Sequence, residues 1–203
     1  MKLEVFEGKN IEEAKSVALE KMNVSEKDIL YKTEKKKGKL FKGDTYLFKA
    51  IKISTIAEYL KEKLDELLHN MNIDGKYEVS IRDEQINIKI YSDKNNILIG
   101  KNGQNLMAIQ TILRQMVFKD IDLYPYILLD VENYKEKKIN NLERNARKIA
   151  KEVIKTKIDV KLDDMNSYER RIVHNALSEF KNITTFSEGE EPNRHIVIAY
   201  KED

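Results

Sequence analysis

Ile97-Leu98-Ile99-Gly100-Lys101-Asn102-Gly103-Gln104 is the stretch whose reading decides the fold of this 203-residue chain. Two glycines three apart, just ahead of a helix, let the backbone approach a ligand with no Cβ in the way. The helix shows in Leu106, Ile109, Ile112, Leu113 and Met116, which share one stripe at helical spacing. Its first turn presents unpaired N–H groups and the positive end of the dipole, both suited to a phosphate. Lys101 adds a cation and Asn102 a hydrogen-bonding amide. Such contacts grip backbone and carry no base specificity. Alone, the tetrapeptide reads equally well as a structural turn between two helices. A Walker-type phosphate loop is excluded, because the longer glycine spacing and the Lys-Ser/Thr pair are missing.

Upstream, Thr55 and Glu58 have capping-box spacing. Ile56, Tyr59, Leu60, Leu64, Leu67, Leu68 and Met71 then fall on one helical stripe, ended by Asp74-Gly75. Two alternating runs follow, Tyr77-Val79-Ile81 and Ile86-Ile88-Ile90, joined through Arg82 to Gln85 without the glycine usual in a tight hairpin. Downstream, Pro125 opens the strand Tyr126 to Val131. The order α-β-β-α-loop-α-β around a G-x-x-G loop resembles a KH domain of the prokaryotic type (type II). There the loop clamps the backbone of about four unpaired nucleotides. The resemblance implies an apolar groove for bases, with Ile97, Leu98, Ile99 and the strand Ile86 to Ile90 as candidates. Each of these also reads as core.

The first fifty residues read as β-α-β-β. Leu3, Val5 and Phe6 begin a strand, and Asn10-Ile11-Glu12-Glu13 is a capping-box-like helix start before Ala14, Val17, Ala18 and Met22. Ile29 and Tyr31 open a second strand, Leu40 to Gly43 reads as a turn, and Tyr46 to Ile53 as a third strand. Beyond residue 134 runs the longest helical pattern, to about 158, with Ile139, Leu142, Ala146, Ile149, Ala150, Val153 and Ile154 on its stripe. Asn166 with Glu169 caps another helix, whose stripe is Ile172, Val173, Ala176, Leu177 and Phe180. Ile183 to Phe186 and Arg194 to Tyr200 read as strands about the turn Glu188 to Asn193. The expected fold is α+β in three small modules, 1–53, 54–133 and 134–203.

Composition is compatible with that division. Apolar residues make up 41% and charged residues 35%, a balance suited to small cores with much polar cover. The absence of cysteine excludes disulfides and thiolate metal sites. There is no apolar signal core at Met1 to Val5 and no run of about 20 apolar residues, so a soluble, cytoplasmic protein is expected. Net charge is only +2, but Lys32 to Lys52 holds eight lysines against Glu34 and Asp44, and Glu132 to Asp159 holds nine basic against five acidic residues. Local stripes of this kind attract phosphates or simply solvate the surface.

Arg170 and His174 stand four apart in Tyr168-Glu169-Arg170-Arg171-Ile172-Val173-His174, one above the other on a helix. With Ile172, Val173, Ala176 and Leu177 on the other side, the pair is expected to face solvent, as a phosphate contact or an ordinary surface pair. The blocks Met165 to His174 and Ser187-Glu188-Gly189-Glu190-Glu191-Pro192-Asn193-Arg194 closely resemble the C-terminal Arg-x-x-x-His domain of the Jag family. These are the SpoIIIJ-associated RNA-binding proteins, also called KhpB or EloR. The family's order of Jag, KH and Arg-x-x-x-His domains matches across essentially the whole chain.

The resemblance implies that Arg170 and His174 are the name-giving residues, with Arg171 beside them. Arg194 takes a basic position after the acidic turn, and Gly100, Lys101, Asn102 and Gly103 take the KH loop. Glu188, Glu190 and Glu191 would repel phosphate, so their loop is expected to border the surface. Gly38 to Gly43 is a looser version of the family's glycine-rich Jag segment, with Phe41 either an exposed aromatic or core. The implied partners are single-stranded RNA or DNA, a small single-KH protein, membrane-protein biogenesis or cell-wall factors, and a second copy of the chain. The implied roles are post-transcriptional, in cell elongation, division or sporulation. The competing reading is a protein-interaction scaffold working through the Jag module. Three histidines, His69, His174 and His195, and no acidic cluster at ligand spacing give no basis for an enzyme, a metal or a cofactor.

Overall fold

A computed structural model describes residues 1–38 and 43–202; Leu40 and Phe41 of the expected turn lie outside them. The chain divides into two compact units, Met1–Glu132 and Asn133–Asp203. In the first, β1 (Glu4–Gly8), α1 (Ile11–Met22), β2 (Ile29–Lys36) and β3 (Thr45–Lys52) build an antiparallel sheet of order β1-β3-β2. Helix α1 starts where the Asn10 side chain accepts the Glu13 N–H at 2.8 Å, and stops where Asn23 turns left-handed (φ 50°). Its Ala14, Ala18 and Met22 pack on Phe6, Ile29, Phe48 and Ala50.

Strand β3 runs straight into α2 (Ile53–Asn70). The helix begins two residues before the expected Thr55, with Lys52 at the N-cap and the Thr55–Glu58 pair unused. Ile53 is buried, so core packing sets this start where local capping chemistry would have set it later. Next come β4 (Gly75–Arg82) and β5 (Gln85–Ser92), an antiparallel hairpin turned through Asp83 and Glu84. Both residues hold positive φ (48° and 64°), the left-handed pair that a tight hairpin requires, achieved without glycine. β6 (Tyr126–Val131) joins parallel to β5, giving the order β4-β5-β6. Parallel neighbours need a crossover, supplied by α3 (Asn95–Ile99) and α4 (Gln104–Ile121), and the glycine loop is the joint between these two helices. Ile56, Leu60, Leu64, Ile86, Ile88, Ile90, Leu98, Leu113 and Leu129 are fully buried. Two ion pairs tie the first sheet and its leading residues to the end of α4: the Met1 ammonium to Asp120 and Lys32 to Asp122, each at 2.8 Å.

The second unit runs α5 (Tyr134–Thr156), β7 (Val160–Asp164), α6 (Ser167–Leu177), β8 (Ile183–Glu188), β9 (His195–Tyr200), with an antiparallel sheet of order β7-β9-β8. Strand β7 was not expected. It is five residues long, acidic at one end, and its register shifts between Lys161 and Asp164, so its alternation is too brief to register as a pattern. Helix α6 begins with the anticipated reciprocal cap: Asn166 Oδ1 accepts from Tyr168 and Glu169, and the Glu169 carboxylate accepts the Asn166 N–H. Ala146, Ala150, Val153, Val173, Leu177, Ile196 and Ile198 form the core. The class is therefore α+β, as the sequence indicates.

Candidate nucleic-acid interface

The loop between α3 and α4 is built from three consecutive demands on backbone conformation. Gly100 sits at φ 69°, ψ −178°, a region open essentially to glycine, and a Cβ there would stand 2.5 Å from the Asn105 side chain. That Asn105 amide is not free to move away, since it donates to the Ile97 carbonyl at 2.7 Å. Asn102 (φ 56°) and Gly103 (φ 88°) are both left-handed, and Gly103 caps α4. Lys101 and Asn102 project as exposed side chains over a buried Gly103, and Lys101 has no ion pair among the described residues. The result is a cation and an amide held at the start of an 18-residue helix.

The expected groove lining is only partly realised. Ile97 is half exposed, but Leu98, Ile86, Ile88 and Ile90 are core. In β5 the apolar residues all fall on the face that packs under the helices, so its alternation describes the core side. The exposed apolar side chains of this module include Met107 and Ile112 on α4 and Tyr126 and Leu128 on β6. The apolar run Tyr126 to Val131 hid the last two, because it shows no alternation until Ile127, Leu129 and Val131 are seen to be buried.

In the second unit the expectation of a solvent-facing Arg170–His174 pair is overturned. Arg170 is buried (7% exposed), and its NH1 donates to the Met165 carbonyl at 2.7 Å and to Glu191 at 2.9 Å. Positions 170, 173 and 177 share one stripe of α6, so Arg170 lies in line with core residues Val173 and Leu177, while Ile172 is partly exposed. Glu191, expected only to border the surface, pairs with the buried guanidinium from a largely exposed position. Met165 links this pair to β9, because its own N–H donates to the Arg194 carbonyl at 3.0 Å. The Arg171 and Arg194 side chains are exposed and carry no partner among the described residues. His174 is half-buried, and its Nδ1 shares a 2.7 Å hydrogen bond with Thr185 Oγ1.

Three of the eight lysines in the first module's stripe are held in ion pairs. Lys32, Lys35 and Lys49 pair with Asp122, Asp44 and Glu34. Among the described residues no cluster of three His, Asp or Glu could hold a metal.

Residues 140–200 match the model of the Arg-x-x-x-His domain, and residues 57–125 match the KH domain model of KhpA/KhpB. The chain is 34% identical over 200 residues to the RNA-binding protein KhpB of Clostridium symbiosum, an overlap of 96% of this chain and 90% of that one. The chain belongs to the KhpB family. It is also 38% identical over 133 residues to the KhpB protein of Bacillus subtilis, and 30% identical over 149 residues to that of Lactiplantibacillus plantarum. It spans 64% and 45% of the length of those two relatives. The family resemblance carried by the glycine loop and the Arg170–His174 block is thereby borne out.

In the Arg-x-x-x-His unit, burial first and the Arg170 guanidinium second hold the His174 imidazole below the usual histidine range. That shift favours the neutral, hydrogen-bonding ring at pH 7. The sign of the linkage follows: folded His174 resists protonation while the unfolded chain titrates near about 6.5. The associated stability is present above that value and is lost as pH falls through the lowered folded value. His174→Gln is expected to flatten the decline in unfolding free energy between pH 7.5 and 5.5, measured with denaturant. An unchanged decline would show that the ring titrates as a solvent-exposed one.

Proposed function

We propose that this chain binds single-stranded RNA without catalysing a reaction on it, through three modules at 1–53, 54–133 and 134–203. The observation that carries this reading is the loop Gly100-Lys101-Asn102-Gly103. Its left-handed backbone at Asn102 and Gly103 and its exposed Lys101 stand at a helix N-terminus, as backbone phosphate binding requires. The names of the KhpB relatives as RNA-binding proteins support it. In the Arg-x-x-x-His unit the phosphate contacts are the exposed Arg171 and Arg194 with neutral His174. Arg170 positions them, since its bond to the Met165 carbonyl steadies the residue that holds the Arg194 backbone. Two weak grips on one chain combine through effective concentration.

The family resemblance extends the proposal to post-transcriptional roles in elongation, division or sporulation, in the cytoplasm. No helix among the described residues is long and apolar enough to cross a membrane. A protein contact is favoured by the exposed Met107 and Ile112 on α4, which suit the small single-KH partner or the second copy that the family implies.

The test is fluorescence anisotropy with matched single-stranded and duplex oligoribonucleotides between about 50 and 300 mM salt. Single strands are expected to bind more tightly, with log K falling linearly in log salt. Equal affinity for duplex, or no binding at low salt, would sink the reading.

A further inference from the structure

Helix α5 carries a row of cations that neither the glycine loop nor the Arg171–Arg194 surface uses. Arg144, Lys148, Lys151 and Lys155 are all exposed. Their spacing of four, three and four puts them within about 60° of the helix circumference and along roughly 16 Å of its length. Ala146, Ala150 and Val153 are buried on the opposite side, so the row points away from the core of its unit. Arg147 lies on its flank; Glu143 is turned about 100° from Arg144, and Glu152, four residues after Lys148 and three before Lys155, lies about 40–60° from them but pairs with neither among the described residues.

Some helical cations elsewhere are paired. In α2, Lys61 bonds Glu58 and Lys63 bonds Glu66, and in α1 Lys15 bonds Glu26. On α5, Arg147, Lys148, Lys151 and Lys155 have no ion pair among the described residues, and Arg144 reaches only the neutral Asn141. Cations three and four apart repel one another along the whole row. The helix dipole favours a cation in the last turn, which accounts for Lys155 alone. A straight row of four unpaired cations, flanked by a single unpaired carboxylate at Glu152, is the electrostatic footprint of a polyanion.

We propose that the Arg144–Lys148–Lys151–Lys155 row is an additional contact for the RNA backbone, sequence-independent and separate from the glycine loop; it rests on the RNA-binding reading above. The row offers point charges at intervals of one helical turn and no groups shaped to read base edges.

The experiment compares the full chain with a Lys148→Gln/Lys151→Gln/Lys155→Gln variant, titrating a labelled 20-nucleotide oligouridylate at several salt concentrations. Affinity near 100 mM salt is expected to fall about tenfold or more. The slope of log K against log salt should become shallower by about 2, at roughly 0.7 per lost phosphate contact. The charge-keeping Lys148→Arg/Lys151→Arg/Lys155→Arg variant should retain both values, which separates loss of charge from loss of fold. Unchanged affinity and slope in the glutamine variant, with wild type binding normally, overturn the row while leaving the RNA-binding reading intact. Absence of wild-type binding overturns both. Phosphatidylglycerol vesicles that sediment wild type but not the glutamine variant, with RNA binding equal in the two, would reassign the row to a lipid surface and also overturn it.

Discussion

Gly103→Asp is expected to lower the affinity of the intact chain for single-stranded RNA by more than tenfold. Gly103 holds φ 88°, ψ 12° at the N-cap of α4, a conformation that aspartate enters at a strain on the order of 1 kcal/mol. The introduced carboxylate stands beside the first-turn N–H groups that a phosphate would use, so the variant places a competing anion at the site. Repulsion adds to that competition: unit charges about 4 Å apart interact by ~1 kcal/mol in water and ~4 kcal/mol near a protein surface. Each 1.4 kcal/mol or so is a factor of ten in affinity. Gly100→Asp is the poorer probe, because its Cβ would collide with Asn105 and break the Asn105–Ile97 bond, mixing a folding defect with a binding one. Anisotropy and thermal melting on Gly103→Asp decide the matter. Wild-type affinity in a folded variant would remove the loop from the interface.

Arg170→Ala is expected to destabilise the Arg-x-x-x-His unit by about 2–3 kcal/mol, through loss of a buried hydrogen-bonded charge and an orphaned carbonyl. The truncation removes the 2.7 Å bond to Met165 and the 2.9 Å pair with Glu191, and empties space in line with Val173 and Leu177. For a unit of this size that lowers the melting temperature by on the order of 10 °C or more. Glu191→Gln should cost far less. It keeps the Met165 bond, and Glu191 itself is largely exposed, where an ion pair contributes about 0–1 kcal/mol. The two variants therefore separate anchoring from charge. RNA affinity is expected to fall in Arg170→Ala as well, through the Met165 link to Arg194. If Arg170→Ala melts with the wild type, its guanidinium is not buried in solution and a direct phosphate role returns.

Features with a repeat inside one turn or one strand were legible in the sequence. The Asn166–Glu169 cap, the α2 stripe, the β4–β5 hairpin and the glycine loop each depend on residues a few positions apart. Backbone hydrogen bonding and side-chain periodicity are local, so linear spacing encodes them. The start of α2 escaped because Ile53 is held by tertiary packing, and β7 escaped because a five-residue bulged strand exists only through its pairing with β9.

The candidate sites divide along the same line. By itself the sequence determined the KH loop at Gly100 to Gly103, the residues of the Arg-x-x-x-His motif and the family to which they belong. Only the tertiary structure decided which of those charges meets solvent. Arg170 is buried in line with Val173 and Leu177, held by the Met165 carbonyl and by Glu191, twenty-one residues away, and Lys32 pairs with Asp122, ninety residues away. A charge is silent or available according to the partner that folding brings to it, and no spacing along the chain carries that information.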